Sequence, residues 1–328
     1  MARYRWWSAE VPESVKKPCR TLLHRFAEAG SSEYYGFTFN PYKGCAHRCV
    51  YCYATYEWTP EFYDKVIVKS NAPDVLSADL ARLGRRAVEE VFMASATDCY
   101  QPLEGRYGIT RRCVEILQRL GIPYTIITKS STIIRDLELH ARYGERCTIV
   151  WSLTTIDARV KRLIEPNTPH PESILYAIRL FRRRGVRVGV NIDPIIPGVT
   201  DEPEMLEKLV EAIAGAGADY VSAGVLKLRD DIWDRLRGLL ESGGMLEAIA
   251  KIRQLYFTKP IRQAYYYLPD QEYTRAVLHF VERLVRSRGM LYGFPDMEEH
   301  QPCYARASEL YSEGSAKKPA QVVLTVFY

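Results

Sequence analysis

Three cysteines within a few residues, Cys45-x3-Cys49-x2-Cys52, constrain this chain more than any other stretch. They stand in NPYKGCAHRCVYCYA, residues 40–54, of a 328-residue chain that has eight cysteines in all. Thiolates grouped this closely in a cysteine-sparse chain usually hold a metal or an iron–sulfur group. Three of them, in place of four, can hold a [4Fe–4S] cube by three corners, which leaves the fourth iron open to an outside ligand. The same loop offers a second arrangement, with Cys45, His47, Cys49 and Cys52 as a Cys3His zinc site. Zinc modules are generally small and stand alone, whereas this loop follows an aromatic-rich, strand-like segment at 34–39.

Strand-like and helix-like segments alternate from there on. Apolar or β-favouring runs cover residues 34–39, 88–94, 124–128, 147–153, 186–192 and 218–224. Helices are predicted between them. One runs from a cap at Asp74 to a stop at Gly84; others cover 110–120, 133–143 and 172–184. Asp201-x-x-Glu204 with Pro203 reads as a capping box that opens a helix to Gly215. Cys113, Ile116, Leu117 and Leu120 share a helical face, which sends Cys113 to the core; Cys147 is expected to be buried in its strand. Residues 65–69, KVIVK, form a separate short strand, a hairpin arm or an edge.

Six β–α units predict an α/β fold, a partial (β/α)6 barrel with a parallel sheet and outer helices. In such folds site residues gather at the C-terminal ends of strands, and the cysteine loop follows the first one. Residues 1–33 read as an N-terminal extension and 34–228 as the barrel. Residues 229–328 read as a mainly helical C-terminal extension closing its open side, with a turn at 242–244, a break at 264–269 and an irregular polar end from 291.

Composition adds limits. The chain is 47% hydrophobic and 26% charged, an ordinary globular balance. No apolar run reaches the roughly 18 residues of a membrane span, and MARYRWWSAE lacks an apolar signal region. A cytoplasmic location without membrane contact is therefore expected, where thiols stay reduced. The net charge of +5 allows a polyanion partner without demanding one. Arg85-Arg86, Arg111-Arg112 and Arg182-Arg183-Arg184 fall near predicted helix ends, where they complement the dipole. Residues 3–7, RYRWW, mix cations and aromatics as single-strand nucleic-acid binders do, or tether the N-terminus by packing.

Cys-x3-Cys-x2-Cys, with Tyr51 just before the last cysteine, resembles the signature of radical S-adenosylmethionine (SAM) enzymes. The flanks NPYKGC and YCYA resemble the subgroup that contains spore photoproduct lyase, over roughly residues 34–225. The resemblance implies the partial-barrel architecture, a [4Fe–4S] cluster on Cys45, Cys49 and Cys52, and SAM chelated by the open iron. It further implies an external electron donor of the flavodoxin or ferredoxin kind. Cleavage of SAM to a 5′-deoxyadenosyl radical would then remove hydrogen from a substrate.

The resemblance extends to strand ends. It implies that Tyr51 lies at the cofactor and that Lys129 and Ser152 touch the methionine part of SAM. Ser95 and Thr97 fall in the region that holds the SAM amino group, and Ile196, in the segment 194–198, falls beside adenine. Taken alone, Ser95 and Thr97 also read as local turn hydrogen bonders. Tyr53 matches a tyrosine implicated in hydrogen transfer, or packs under the cluster. Where the lyase has a hydrogen-donating cysteine three residues before an aspartate, this chain has Ser95 before Asp98. Cys99 and Cys303 remain as candidates for hydrogen donation or an additional cluster, beside a plain structural reading. Glu165 is expected to pair with a helix arginine such as Arg162, and Asp193 is left as a strand-end carboxylate.

Two functions follow. One is a radical SAM enzyme whose substrate is open, nucleic-acid repair or modification being one option. The other is a non-catalytic, zinc- or cluster-stabilised nucleic-acid-binding protein that uses Arg5, Trp6 and Trp7 and shows salt-dependent polyanion binding.

Overall fold

The computed structural model describes residues 12–27, 34–57, 63–84, 88–263 and 265–293. Arg5, Trp6, Trp7, Arg85-Arg86 and Cys303 fall outside them.

Two strands, β1 (Glu13–Lys17) and β2 (His24–Ala27), precede the expected first one, β3 (Tyr34–Phe39). After the small strands β4 (Tyr42–Lys43) and β5 (Lys65–Lys69) come β6 (Val91–Met93), β7 (Tyr124–Thr128), β8 (Cys147–Ser152), β9 (Arg187–Ile195) and β10 (Tyr220–Val225). β3, β6, β7, β8, β9 and β10 lie side by side in that order, all parallel. These are the six predicted β–α units, ordered as right-handed crossovers place them. Phe39 stands opposite Met93, Met93 opposite Ile126, Thr128 opposite Trp151, and Ser152 opposite Asn191. That register aligns the C-terminal strand ends along one rim.

β7 and β8 explain their own sequence. YTIIT and CTIVWS are buried almost throughout, because both faces of a parallel sheet are covered and apolar residues run on without alternation. The helix Ile109–Arg119 turns Ile109, Cys113, Ile116 and Leu117 inward, and Pro171–Arg183 turns Ile174, Ala177, Ile178 and Phe181. Phe181 meets Trp151 edge-on, with ring centroids 5.2 Å apart. Cys113 and Cys147 are core thiols, as the pattern predicts.

Several expectations are corrected. β2 pairs antiparallel with β3, so the main sheet begins inside the stretch read as an extension. β5 is not an edge: it is the middle strand of a small sheet ordered β1-β5-β4, antiparallel to the preceding β4 and parallel to β1. Asp74 does not cap the helix Ala72–Leu83. Asn71 holds that position, its side chain engaged with the backbone of Cys19 at 2.8 and 2.9 Å, while Asp74 faces the dipole from the first turn. Asp201 does not cap Pro203–Ala216 either. Its carboxylate turns back to the Gly198 N–H at 2.7 Å and to Lys251 at 2.8 Å. Residues 133–143 divide into a 3-10 turn, Thr132–Asp136, and a short helix, Leu137–Ala141. A helix at Ala158–Ile164, capped by Asp157, is unforeseen because seven residues carry too little periodicity.

The C-terminal part does two things. Helices Asp230–Ser242 and Leu246–Phe257 pack over the cysteine loop, where Leu236, Leu239 and Ile252 share one apolar cluster with Cys49, Val50, Tyr51 and Ile196. An antiparallel pair, β11 (Ile261–Gln263) and β12 (Tyr266–Leu268), occupies the expected break. Helix Gln271–Ser287 instead places Val281 and Val285 in the main core, and β13 (Leu291–Tyr292) adds a parallel strand beside β10. No helix among the described residues is long and apolar enough to cross a membrane.

Candidate active site

β3 delivers the chain to the rim at Asn40. Its side chain accepts from the Ala96 N–H at 2.9 Å and donates to the Ser95 hydroxyl at 3.2 Å, which ties the loop to the end of β6. Gly44 (φ 87°) and Arg48 (φ 58°) give the loop its left-handed turns. At Arg48 the strain of a side chain there is offset by two hydrogen bonds to the Tyr63 carbonyl, at 2.9 and 3.2 Å. Gln101 accepts from the Ala46 N–H at 3.0 Å and donates to the Gly44 carbonyl at 3.2 Å. From the opposite side Asn167 donates to the Ala46 carbonyl at 2.8 Å, and Val50 N–H donates to the Ile164 carbonyl at 2.9 Å. The unforeseen short helix is therefore part of the loop's support.

Cys49 and Cys52 pack in one apolar cluster with Val50 and Tyr51, and Cys45 and Cys52 pack against a second formed by Ala54, Tyr63 and Ala96, so the three thiols are neighbours. Burial pushes the Cys45 thiol up to about 12, and burial also raises Cys49 and Cys52. The backbone N–H groups of His47 and Asp98 favour the Cys45 thiolate, and that of Ala54 the Cys52 thiolate, against burial. Such N–H···S contacts favour thiolates bound to iron, and iron must displace the thiol protons on binding. Among the described residues no three His, Cys, Asp or Glu side chains converge as a group for a single metal ion. The Cys3His alternative also loses its fourth ligand. His47 has Nδ1 3.1 Å from the Asn167 carbonyl and Nε2 3.1 Å from Asp98.

Asp98 joins the loop to two strand ends. Besides His47 it accepts from the Thr128 hydroxyl, the Lys129 N–H and the Tyr100 N–H at 2.7, 2.7 and 2.8 Å. Burial alone would raise its carboxyl, but His47 and these donors hold it below the usual carboxylate range.

Glu165 is the most deeply placed charge beside the thiols, its side chain fully inaccessible. It does not pair with Arg162. Lys129 lies 3.3 Å away, Lys161 bonds it from one helical turn earlier, the Tyr51 hydroxyl donates to it, and Thr154 donates at 3.1 Å. Burial would raise the Glu165 carboxyl, yet Lys129 and Lys161 hold it well below the carboxylate range. Lys129 also sits 5.4 Å from the centre of the Tyr51 ring. The Lys161-x3-Glu165 spacing was the available sequence signal for this network.

The remaining candidates divide. Ser152 ends β8 nearly buried, and Ile196 is fully buried in the apolar cluster that holds Cys49 and Tyr51. Ser95 accepts from Thr38 at 3.1 Å as well as from Asn40, and Thr97 donates to the Gly44 carbonyl at 2.6 Å; both hydroxyls thus brace the loop. Tyr53 is 44% exposed at the mouth, its hydroxyl on the Ser95 carbonyl. Cys99 departs from the expected role: it is fully buried in the main core beside Glu104 and Cys113, away from the mouth. Asp193 faces Lys129 and Lys227; burial raises its carboxyl against their pull. Gly224 leaves room for it, since a Cβ there would meet the Asp193 Cγ at 3.0 Å.

Comparison with known proteins agrees with this geometry. A model of the Radical SAM superfamily matches residues 39–209, just over half of the chain. An uncharacterized protein of Mycobacterium bovis is 34% identical over 220 residues, 64% of this chain, and the match spans 64% of that relative's length. A radical SAM Nalpha-GlyT isomerase of Pseudomonas phage M6 is 24% identical over 191 residues, 55% of this chain and 37% of that protein. A spore photoproduct lyase variant with bound AdoMet and dinucleoside spore photoproduct has a TM-score of 0.62 at 18% identity, over 85% of this chain and 81% of that one, a likeness of fold. Because the family model matches more than half of the chain, including the three-cysteine loop and most of the parallel sheet, this chain belongs to the radical SAM superfamily.

Proposed function

We propose that this chain is a cytoplasmic radical SAM enzyme in which Cys45, Cys49 and Cys52 would hold a [4Fe–4S] cluster that engages SAM. When bound, the cluster supplies the electron that cleaves SAM to methionine and a 5′-deoxyadenosyl radical, the species that takes hydrogen from substrate. What supports the reading is that the three cysteines share one loop after β3 and that Cys49, Tyr51 and Cys52 pack in one apolar cluster with Ile196, just past the end of β9.

The chain's own residues bind, orient and exclude water. Lys129 and Ser152 hold the SAM carboxylate end, with Glu165 and Tyr51 fixing the lysine's position. The turn at Ser95 and Thr97 lies at the SAM ammonium, and the backbone around Ile196 seats adenine. Tyr53, exposed at the mouth, is the residue we assign to hydrogen transfer at the substrate. Helices Asp230–Ser242 and Leu246–Phe257 keep water from the loop's apolar side. An external flavodoxin- or ferredoxin-like donor supplies electrons. Nucleic acid is the substrate class we favour, in line with the net charge of +5 and with the dinucleoside spore photoproduct in the solved relative.

The test is anaerobic. The purified protein is reconstituted with iron and sulfide, mixed with SAM and dithionite, and assayed for 5′-deoxyadenosine. A brown protein that forms it, with both properties lost in Cys49→Ala, is the expected result. A colourless protein with stoichiometric zinc and no SAM cleavage would overturn the reading.

A further inference from the structure

Arg229 and Arg235 lie 174 to 185 positions beyond their partners in the cysteine loop, yet both reach into it. Arg235 donates to the Val50 carbonyl at 3.0 Å, the Cys52 carbonyl at 3.1 Å and the Thr55 hydroxyl at 3.2 Å. Arg229 donates to the Tyr53 carbonyl at 2.8 Å and to Thr55 at 3.1 Å. Asp231 locks the two together. It accepts from Arg229 at 2.9 and 3.1 Å, from Arg235 at 2.7 Å and from Thr55 at 2.8 Å. The Arg235 guanidinium also lies 5.8 Å from the centre of the Tyr63 ring, whose hydroxyl donates to the Cys49 carbonyl at 2.5 Å. Four carbonyls between Cys49 and Tyr53 thus accept from side chains of this one assembly.

Burying guanidinium groups is a poor way to gain stability alone, because apolar side chains would hold helix to loop without the desolvation cost. The two arginine side chains are only 9% and 10% exposed. What the forks add is fixed carbonyl orientation and positive charge next to an iron ligand. Net charge, hydrogen bonding and solvent exposure are the quantities that set an iron–sulfur potential.

We infer that Arg235 and Arg229, joined through Asp231, are positioning residues that fix the segment from Cys49 to Tyr53 and raise the reduction potential of the cluster it carries. This rests on the cluster reading proposed above. Through them the C-terminal extension tunes the redox step.

The test uses the full chain, wild type and the variants Arg235→Met and Arg235→Lys, with two readouts. One is a potentiometric titration of the reconstituted cluster followed by electron paramagnetic resonance. The other is amide hydrogen exchange across residues 49–55 in the iron-free protein. Arg235→Met should lower the reduced-to-oxidised ratio at a fixed poise about tenfold, about 59 mV for one electron, and speed exchange. Arg235→Lys keeps the charge but not the fork; its ratio should stay within about threefold of wild type while exchange speeds up. Unchanged potential and exchange in Arg235→Met would overturn the inference, and equal potential shifts in both variants would overturn its electrostatic half. If Arg235→Met does not fold, Arg229→Met and Arg229→Lys carry the same comparison of charge removed against charge kept. A wild type that binds no iron overturns the cluster reading and the potential half with it, while exchange still decides the conformational half.

Discussion

The Lys129 ammonium lies 3.3 Å from the Glu165 carboxylate, which meets Lys161 on its other oxygen. Two cations around one inaccessible acid are stable only while the acid stays ionised. Glu165→Gln leaves both ammonium groups facing a neutral amide. It should lower unfolding stability by about 3–5 kcal/mol in urea titrations. Lys129→Met, which removes the more exposed cation, should cost less stability but weaken SAM binding to the reconstituted protein at least about tenfold, the loss of a charge-assisted hydrogen bond.

Asp98 uses both carboxylate oxygens for donors from four residues. An amide offers one oxygen, so Asp98→Asn strands two donors and sets its own NH2 against them. The expected loss is about 2–4 kcal/mol by thermal melting. Iron bound per chain after reconstitution should fall as well, because His47 then no longer anchors the loop between Cys45 and Cys49. Wild-type iron content in a destabilised Asp98→Asn protein would separate fold support from loop support.

Much of this was legible in the sequence, for definable reasons. β7 and β8 announce themselves because full burial demands unbroken apolar runs. The cysteine loop does so because its chemistry is local in sequence. Strands of two to four residues such as β2, β12 and β13 carry no pattern; pairing with a neighbour makes them strands. Polar partners were illegible for the same reason. Arg162 and Lys161 are adjacent to one another, and only the turn of a seven-residue helix decides which one meets Glu165. Cys99 follows the rim residue Asp98 directly, yet the chain turns between them and sends the thiol into the core.

Gly198 is the contact between the end of β9 and the helix Leu246–Phe257. Its φ is +73°, and a Cβ there would lie 2.7 Å from the Ala248 Cα, which is backbone and cannot swing aside. Gly198→Ala should cost about 1–3 kcal/mol by overpacking, beyond the backbone strain. Gly84→Ala is the control: φ is +82° there, but nothing lies within 4 Å of the added carbon. Only Gly198→Ala should speed amide exchange in Leu246–Phe257, and that local readout distinguishes the helix contact from backbone strain, which both variants carry.

His140 supplies a pH dependence away from the thiols. It is fully buried, between the Tyr100 hydroxyl at 3.0 Å from Nε2 and the Tyr124 hydroxyl at 2.9 Å from Nδ1. Burial pushes its pKa down to about 4, with Asp136 and Arg111 acting in opposite directions. The unfolded chain therefore takes up a proton near the ordinary value of about 6.5 while the native state resists. Stability from this residue is complete above that value and is lost as pH falls towards the native one, about 3 kcal/mol in all. Denaturation midpoints between pH 7 and 4 should fall accordingly. His140→Gln, which keeps hydrogen-bonding atoms without a titrating ring, should start from lower stability at pH 7 and show a flatter profile over this window. An equally steep profile in that variant would assign the acid sensitivity to other groups.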